Sequence, residues 1–218
     1  MELSQIIRAR QSVRRYKDRE VTGEDLTRIL DAGRMAPSGK NCQNWHFIVI
    51  RNKELMKKIG AAILEKNEEI ASRMDQKDPE KGLRFRKFVK NFTMFYLDAP
   101  VLVVVYATGY YPSGYHEMTF AGYPQEALDK LFTRNPSMQN IGAAMENMTL
   151  AAIDLGYGSC WMTGQNYAAE EIEAVIKKEV GFSREGWFLA CMLAIGVPQE
   201  GLRSPATKEL NEICTFVD

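Results

Sequence analysis

Three residues near the start of the chain, Arg10, Ser12 and Arg14, have the types and spacing of an anion-binding segment. They alternate within the stretch RARQSVRRY, residues 8–16, which holds four arginines although the formal net charge of the whole chain is zero. In an extended chain, alternate side chains point the same way, so all three could contact one elongated anionic ligand. The planar guanidinium of arginine suits phosphate because it donates two hydrogen bonds at once. The alternative is a helix end with solvated arginines, which charge density alone favours.

Two glycine-containing stretches come close to nucleotide-binding motifs but do not fit them. GRMAPSGK, residues 33–40, has five residues between its glycines where a phosphate-binding loop has four, and Asn41 follows where Ser or Thr is needed. GYGSCWMTG, residues 156–164, begins like a dinucleotide motif. Both stretches follow a predicted helix and precede a predicted strand. The motifs require the reverse order, since a helix N-terminus must meet the phosphates.

The cysteines and histidines do not form a recognisable catalytic or metal-binding pattern. The four cysteines are scattered without a CxxC pair, and the two histidines lack the spacing of a zinc-binding helix. Cys42 and His46 lie four residues apart, about 13 Å along a strand at roughly 3.3 Å per residue, which is too far for a thiolate–imidazolium pair. We therefore expect neither a metal site nor cysteine catalysis.

The composition is that of an ordinary globular protein. With 218 residues, 45% hydrophobic and 26% charged, the chain fits a single domain. Balanced charge argues against binding nucleic acid, which needs a broad basic surface. The longest apolar run, residues 99–107, is far shorter than the roughly 20 residues that span a bilayer. Because the N-terminus has no cleavage-site pattern, we expect a cytoplasmic protein without a membrane segment.

Helices alternate with strands along the chain, which indicates a single α+β domain over residues 1–218. The predicted helices cover about residues 3–12, 22–36, 53–73, 80–98, 136–156 and 168–178, with Ser4 and Thr22 as possible caps. The predicted strands cover residues 45–50, 100–106, 159–162 and 187–195. Residues 108–136 are rich in Gly, Pro and Tyr around a short helical piece, and we interpret them as a lid-like excursion that faces a substrate.

The C-terminal tail ends in an apolar, strand-like segment, ICTFV, residues 213–217. It follows about fifteen irregular residues, a length that would let it reach the exposed sheet edge of a neighbouring subunit. We therefore predict an intertwined homodimer.

Four stretches in this order and spacing resemble the nitroreductase family of FMN-dependent oxidoreductases. They are RARQSVRRY, APSGKNCQNWHFIVI, LAAIDLGYGSCWMTG and LAIGVPQEG. The resemblance runs from about residue 3 to the C-terminus and is weakest between about 65 and 135. It implies an α+β sandwich whose central, mostly antiparallel sheet is flanked by helices. It also implies a homodimer that exchanges its C-terminal strand and holds FMN at the subunit interface.

The resemblance assigns FMN contacts residue by residue. Arg10 would bind the phosphate, with Gln11 beside it, and Ser12 would support the phosphate or the ribityl chain. Arg14 would lie near the pyrimidine edge of the flavin, where it would stabilise the negative charge of the reduced form. The further contacts implied are Pro37, Ser38, Gly39 and Asn41 from the partner subunit, Met162, Thr163 and Gly164 at the isoalloxazine ring, and the tail residues Arg203 and Lys208 at the phosphate. A backbone N–H near Thr163 and Gly164 would donate to flavin N5.

The implied reaction is a ping-pong transfer of hydride from NAD(P)H through FMN to an electron-poor acceptor, a nitroaromatic or a quinone. Since the flavin carries the chemistry, few acids or bases are required of the protein. A specialised flavin enzyme of the same fold, a reductive dehalogenase or a dehydrogenase, and a flavin-binding or storage protein with little turnover are the alternatives. The second motif departs from the family, which commonly has Ser and then Gln-Pro-Trp where this chain has Cys42, Gln43, Asn44 and Trp45.

Overall fold

The computed structural model describes residues 2–201 and 205–217 of the chain. Its α-helices are α1 (Leu3–Ala9), α2 (Gly23–Arg34), α3 (Lys53–Asp75), α4 (Pro79–Phe92), α5 (Tyr115–Phe120), α6 (Gln125–Phe132), α7 (Pro136–Asp154) and α8 (Ala169–Val180). Its strands are β1 (Trp45–Ile50), β2 (Val101–Thr108), β3 (Gly158–Met162) and β4 (Trp187–Gly196). None of the described helices is long and apolar enough to cross a bilayer.

The four strands form one antiparallel sheet in the order β1-β2-β4-β3. Strand β2 lies inside the sheet and is buried from Val101 to Ala107, as its continuous apolar sequence predicts for a strand covered on both faces. On one face, residues of α3, α4 and α8 pack against the sheet, and on the other, residues of α2 and α7 do so. The predicted α+β architecture is therefore confirmed.

The first helix differs from its prediction in a way that matters for the site. It ends at Ala9 rather than at residue 12, and Arg10 already has extended backbone angles of φ −61° and ψ 126°. Its N-cap is Glu2, and Ser4 lies within the helix. Residues 10–14 therefore lie outside the helix, and Ser12 forms a β-bridge, which favours the anion-binding interpretation over a helix end with solvated arginines.

Two other helical predictions need correction. The helix predicted over 80–98 ends at Phe92, and Met94–Asp98 form a separate 3-10 turn. This tighter turn buries Tyr96, whose hydroxyl donates to the Met56 carbonyl at 3.2 Å. The excursion at 108–136 contains two helices, α5 and α6, where one short helical piece was expected.

The tail segment predicted as a strand has no strand partner within the part of the chain that the structure describes. Ile213, Phe216 and Val217 are 64%, 81% and 89% exposed, respectively. An apolar segment that its own chain leaves uncovered is what strand exchange requires, and the exchange itself stays a prediction.

Candidate functional site

The extended segment after α1 is held against the edge of β3. Ser12 forms a parallel bridge with Ser159, and the backbone N–H of Val13 donates to the Ser159 carbonyl at 2.9 Å. The Val13 side chain is buried directly over Gly158, where a Cβ would lie 2.5 Å from Val13 Cγ2. This close approach fixes the residues on either side of Val13 relative to the sheet.

A cavity of about 380 Å³ opens beside this segment, and we call it the Arg10 cavity. It is lined by Arg10, Gln11, Ser12, Glu146, Thr149, Ser159, Trp161 and Thr163. Arg10 is half-buried. Four of the other lining residues carry hydroxyl groups, namely Ser12, Thr149, Ser159 and Thr163. Guanidinium and hydroxyl groups are the donors that bind phosphate and sugar oxygens, so this donor set fits an anionic, hydroxylated ligand.

A second cavity, of about 340 Å³, lies at the other end of the segment, and we call it the Arg14 cavity. It is lined by Arg14, Phe88, Phe92, Thr93, Phe95, Cys160, Trp161, Met162, Thr163, Gly164 and Gln165. The rings of Phe88 and Phe92 on α4 stack with centroids 5.2 Å apart, and the Arg14 guanidinium lies 5.7 Å from the Phe95 ring centroid. Aromatic walls with one cation at the rim suit a planar ring that has a polar edge.

Trp161 and Thr163 line both cavities, so the two meet at the end of β3. Of these two cavities, Arg10 lines only the first and Arg14 lines only the second. The arrangement can take an elongated ligand with an anionic end at Arg10 and a planar end at Arg14. The predicted flavin contacts of Arg10, Ser12 and Arg14 stay predictions.

The turn that follows β3 is held in place by the side chains of Gln165 and Asn166, which no sequence motif indicates. Gln165 is fully buried, and its Nε2 donates to the Met162 carbonyl and to Asn166 Oδ1, both at 3.1 Å. Asn166 Nδ2 donates in turn to the Ala190 carbonyl at 2.8 Å. A shift in the β2–β4 register occurs at this point, where Val105 pairs with Cys191 and Tyr106 with Leu189.

This brace connects Thr163 and Gly164 to the centre of the sheet through hydrogen bonds rather than through packing alone. The register shift is a β-bulge, and bulges are frequent beside functional sites because they redirect the backbone. The signal in the sequence was a pair of amide side chains directly after an apolar strand, which by itself predicts only a turn. Glu146, Thr149 and Ser159 were also missed, because their positions in the helix and strand carry no motif.

The charged side chains that line the two cavities are Arg10, Arg14 and Glu146. Burial raises the pKa of the Cys160 thiol, although nearby Arg14 opposes the shift, and the thiol is therefore neutral near pH 7. Burial likewise raises the pKa of Tyr16, whose hydroxyl donates to the Val13 carbonyl at 2.6 Å. Among the described residues, no three His, Cys, Asp or Glu side chains cluster as metal ligands would.

The tail approaches the same segment. Pro205, Ala206 and Thr207 line a cavity of about 810 Å³ together with residues 7–12 and Arg14. Lys208 is exposed and does not line this cavity, and Arg203 lies outside the described residues. The predicted roles of both basic residues therefore stay predictions.

The loop containing Pro37, Ser38, Gly39 and Asn41 does not line the Arg10 or the Arg14 cavity of its own chain. It packs instead near the start of α7, where the Gly39 N–H donates to Asn140 Oδ1 at 3.0 Å. The family resemblance implies that this loop contacts the flavin of the partner subunit. Its position away from the Arg10 and Arg14 cavities of its own chain is compatible with such a contact.

Comparison with known proteins identifies the family to which the chain belongs. The chain belongs to the nitroreductase family, since the model described as Nitroreductase family matches residues 7–197. A BluB-like flavoprotein from Clostridium difficile 630 is 56% identical over all of both chains, and its crystal structure superposes with a TM-score of 0.97. A Bacteroides fragilis nitroreductase solved with bound FMN is 27% identical over all of both chains, with a TM-score of 0.66. A protein of Archaeoglobus fulgidus, provisionally named NADH dehydrogenase/NAD(P)H nitroreductase, is 28% identical over 199 residues, which are 91% of this chain and 87% of the relative.

Proposed function

We propose that this protein is an FMN-dependent oxidoreductase that takes electrons from NAD(P)H and delivers them to an electron-poor aromatic or quinone acceptor. The observation that carries the proposal is the pair of cavities that meet at Thr163, with Arg10 at one end and Arg14 beside aromatic side chains at the other. FMN has matching chemistry, with a phosphate at one end and a planar ring with a polar edge at the other. Family membership and the FMN-bound Bacteroides fragilis relative support the choice of cofactor.

Within this proposal each group of residues has a distinct task. Arg10 and Gln11 hold the phosphate, and Ser12 donates to the phosphate or to the ribityl chain. Met162, Thr163 and Gly164 contact the ring, with a backbone N–H of the Thr163–Gly164 turn directed at flavin N5. Arg14 stabilises the negative charge that reduction places near flavin N1 and O2.

When bound, FMN accepts a hydride from a nicotinamide and passes electrons to the acceptor, which the protein itself cannot do. The protein contributes binding, orientation and electrostatics. The brace through Gln165 and Asn166 keeps the Thr163–Gly164 turn fixed while ligands exchange over the ring. The proposed homodimer would add Pro37, Ser38, Gly39 and Asn41 from the partner, and Arg203 and Lys208 at the phosphate.

Two measurements test this function. Purified protein should be yellow from bound oxidised flavin, and anaerobic stopped-flow mixing with NADH or NADPH should bleach the flavin rapidly. A yellow protein that neither nucleotide bleaches would be a flavin-binding or storage protein, and a colourless protein that does not take up added FMN would contradict the proposal.

The acceptor and the oligomeric state need separate tests. A reduced enzyme can be mixed with a nitroaromatic, a quinone and a halogenated phenol, and rapid reoxidation by the halogenated phenol alone would favour the reductive dehalogenase alternative. Light scattering should give twice the chain mass of 24.8 kDa. A mass equal to one chain would rule out the intertwined dimer.

A further inference from the structure

Asn44 holds together the two ends of the excursion. Its side chain is buried, with 1% of its surface exposed, and its Nδ2 donates to the Thr108 carbonyl at 2.7 Å and to the Ser137 carbonyl at 3.2 Å. Thr108 is the last residue of β2, and Ser137 lies in the first turn of α7, so the segment between them contains α5 and α6. One amide group therefore closes the base of the whole excursion.

Asn140 connects this closure to the loop at Gly39. Its Nδ2 donates to Asn44 Oδ1 at 2.8 Å and approaches the Cys42 sulfur at 3.3 Å, while its Oδ1 accepts from the Gly39 N–H at 3.0 Å. Every polar atom of the two buried amides thus has a partner. A fully satisfied buried network specifies one arrangement, because any alternative leaves a buried polar group unpaired.

The loop that this network holds is unfavourable on its own. Lys40, Asn41 and Gln43 have φ angles of 55°, 51° and 43°, in the left-handed region that non-glycine residues seldom adopt. Such conformations persist when surrounding contacts impose them, and they cluster at ligand-contacting sites. Lys40 Nζ also donates to the Tyr111 carbonyl at 3.2 Å, which gives a second direct link between this loop and the excursion.

We propose that Asn44, with Asn140, is a positioning residue that fixes the loop 37–43 and the excursion relative to each other as one unit. This inference rests on the proposed function, in which the loop contacts the partner's flavin and the excursion faces the substrate. Neither segment lines the Arg10 or the Arg14 cavity of its own chain, so both would act on the partner subunit together. Asn44 thereby couples acceptor selection to the flavin-contacting loop.

The identity of residue 44 supports this role. Proline, which the family commonly has at this position, has no side-chain donor and could not bond to either carbonyl. Asn44, which departs from the family motif, thus makes two side-chain hydrogen bonds that proline could not make. Cys42, the neighbouring departure, lies against the same network at 3.6 Å from Asn44 Oδ1.

Hydrogen exchange of the full-length protein, saturated with FMN and followed by mass spectrometry, tests the proposal. In Asn44→Leu, backbone amides of residues 37–43 and 109–135 should both exchange about tenfold faster or more, because the network loses its central donor. The matched control is Asn67→Leu, which removes another buried asparagine, on α3, whose Nδ2 has no partner among the described residues. The control should leave exchange in both segments unchanged.

Kinetics provide the second readout. In Asn44→Leu, KM should rise severalfold for a bulky acceptor, while flavin reduction by the nicotinamide changes less than twofold. If Asn44→Leu does not fold, Asn140→Asp serves in its place, since it keeps the acceptor for Gly39 but loses the donor to Asn44. Faster exchange in only one of the two segments, or rates equal to those of the Asn67→Leu control, would overturn the proposal. If the proposed function is wrong, NADH and NADPH will not reduce flavin in the wild-type protein. The hydrogen-exchange comparison does not require turnover, so it tests the positioning role of Asn44 separately.

Discussion

The backbone N–H of Val13 donates to the carbonyl oxygen of Ser159 at 2.9 Å, and this bond sets the N-terminal segment beside β3. Arg10 and Arg14 lie on either side of this attachment, one at each of the two cavities. The backbone that carries the two arginines is therefore attached to the sheet.

Replacing Gly158 should weaken FMN binding although the residue has no side chain. In Gly158→Ala, the new Cβ would lie 2.5 Å from Val13 Cγ2 and 3.0 Å from Val13 Cβ, so Val13 must move and displace the cavity-lining residues next to it. We expect at least a tenfold loss of FMN affinity by fluorescence titration, and partial recovery when Val13→Ala is added. Gly23→Ala is the control, because a Cβ at Gly23 has open space. If the double variant binds no better than Gly158→Ala, the collision is not the cause.

Replacing Arg10 should distinguish FMN from riboflavin. A charge-assisted hydrogen bond contributes about 1.5 to 3 kcal/mol, so Arg10→Ala should weaken FMN binding roughly 10- to 150-fold. Riboflavin has no phosphate, and its affinity should change far less. Arg8→Ala is the control, since Arg8 is exposed and lies outside the Arg10 cavity. Equal losses for the two flavins would remove Arg10 from the phosphate site.

Replacing Arg14 should change the flavin potential more than flavin binding. If a contact of about 1.5 to 3 kcal/mol is made fully only in the reduced state, Arg14→Ala should lower the two-electron potential by about 30 to 65 mV. A redox titration against a reference dye gives this value directly. Arg15→Ala, which replaces an exposed arginine outside the Arg14 cavity, should leave the potential unchanged. An unaltered potential in Arg14→Ala would exclude Arg14 from this role.

An ion-pair cluster between α3 and α4 should make stability depend on pH in acid. Arg86 donates to both oxygens of Glu68 at 2.7 Å, and these bonds, with one from the Ser72 hydroxyl, lower the pKa of Glu68 to about 2. Arg86 also pairs with Asp75. A lowered pKa means that the stabilisation is complete above about pH 4.5 and is lost as the pH falls towards 2. Urea unfolding should therefore show Glu68→Gln less stable than wild type at pH 7, with a difference that shrinks below pH 4.5.

The control for this prediction is Glu65→Gln, which replaces another exposed carboxylate of α3 that has no ion pair among the described residues. It should show no comparable pH-dependent difference. A constant gap between Glu68→Gln and wild type down to pH 2 would contradict the assigned pKa shift.

The fold could be predicted from the sequence for physical reasons. Strands such as β2 are apolar throughout because both faces are covered, and this pattern can be recognised without a structure. Arg10, Ser12 and Arg14 could be selected because their types and alternate spacing indicate one face of an extended chain, and their contacts with flavin stay predictions. Family resemblance then supplied the flavin roles.

The remaining features depend on contacts between distant segments. Asn166 matters because a bulge in β4 presents the Ala190 carbonyl to it, and Gln165 matters because it donates to Asn166. A bulge has no clear signature in the sequence. Asn44 and Asn140 are 96 residues apart, so nothing local indicates that they form a pair. The end of α1 was also missed, since the residues after Ala9 do not disfavour a helix and their extended conformation comes from pairing with β3.

The pairing of Ser12 and Val13 with β3 has a further effect. Strand β3 is at the border of the sheet, and a bare border strand recruits other chains through its free backbone groups. The segment that we propose binds the cofactor therefore also shields this border from intermolecular β-pairing. A ligand that stabilises this segment should also protect the protein against self-association. Loss of the cofactor should therefore be accompanied by aggregation.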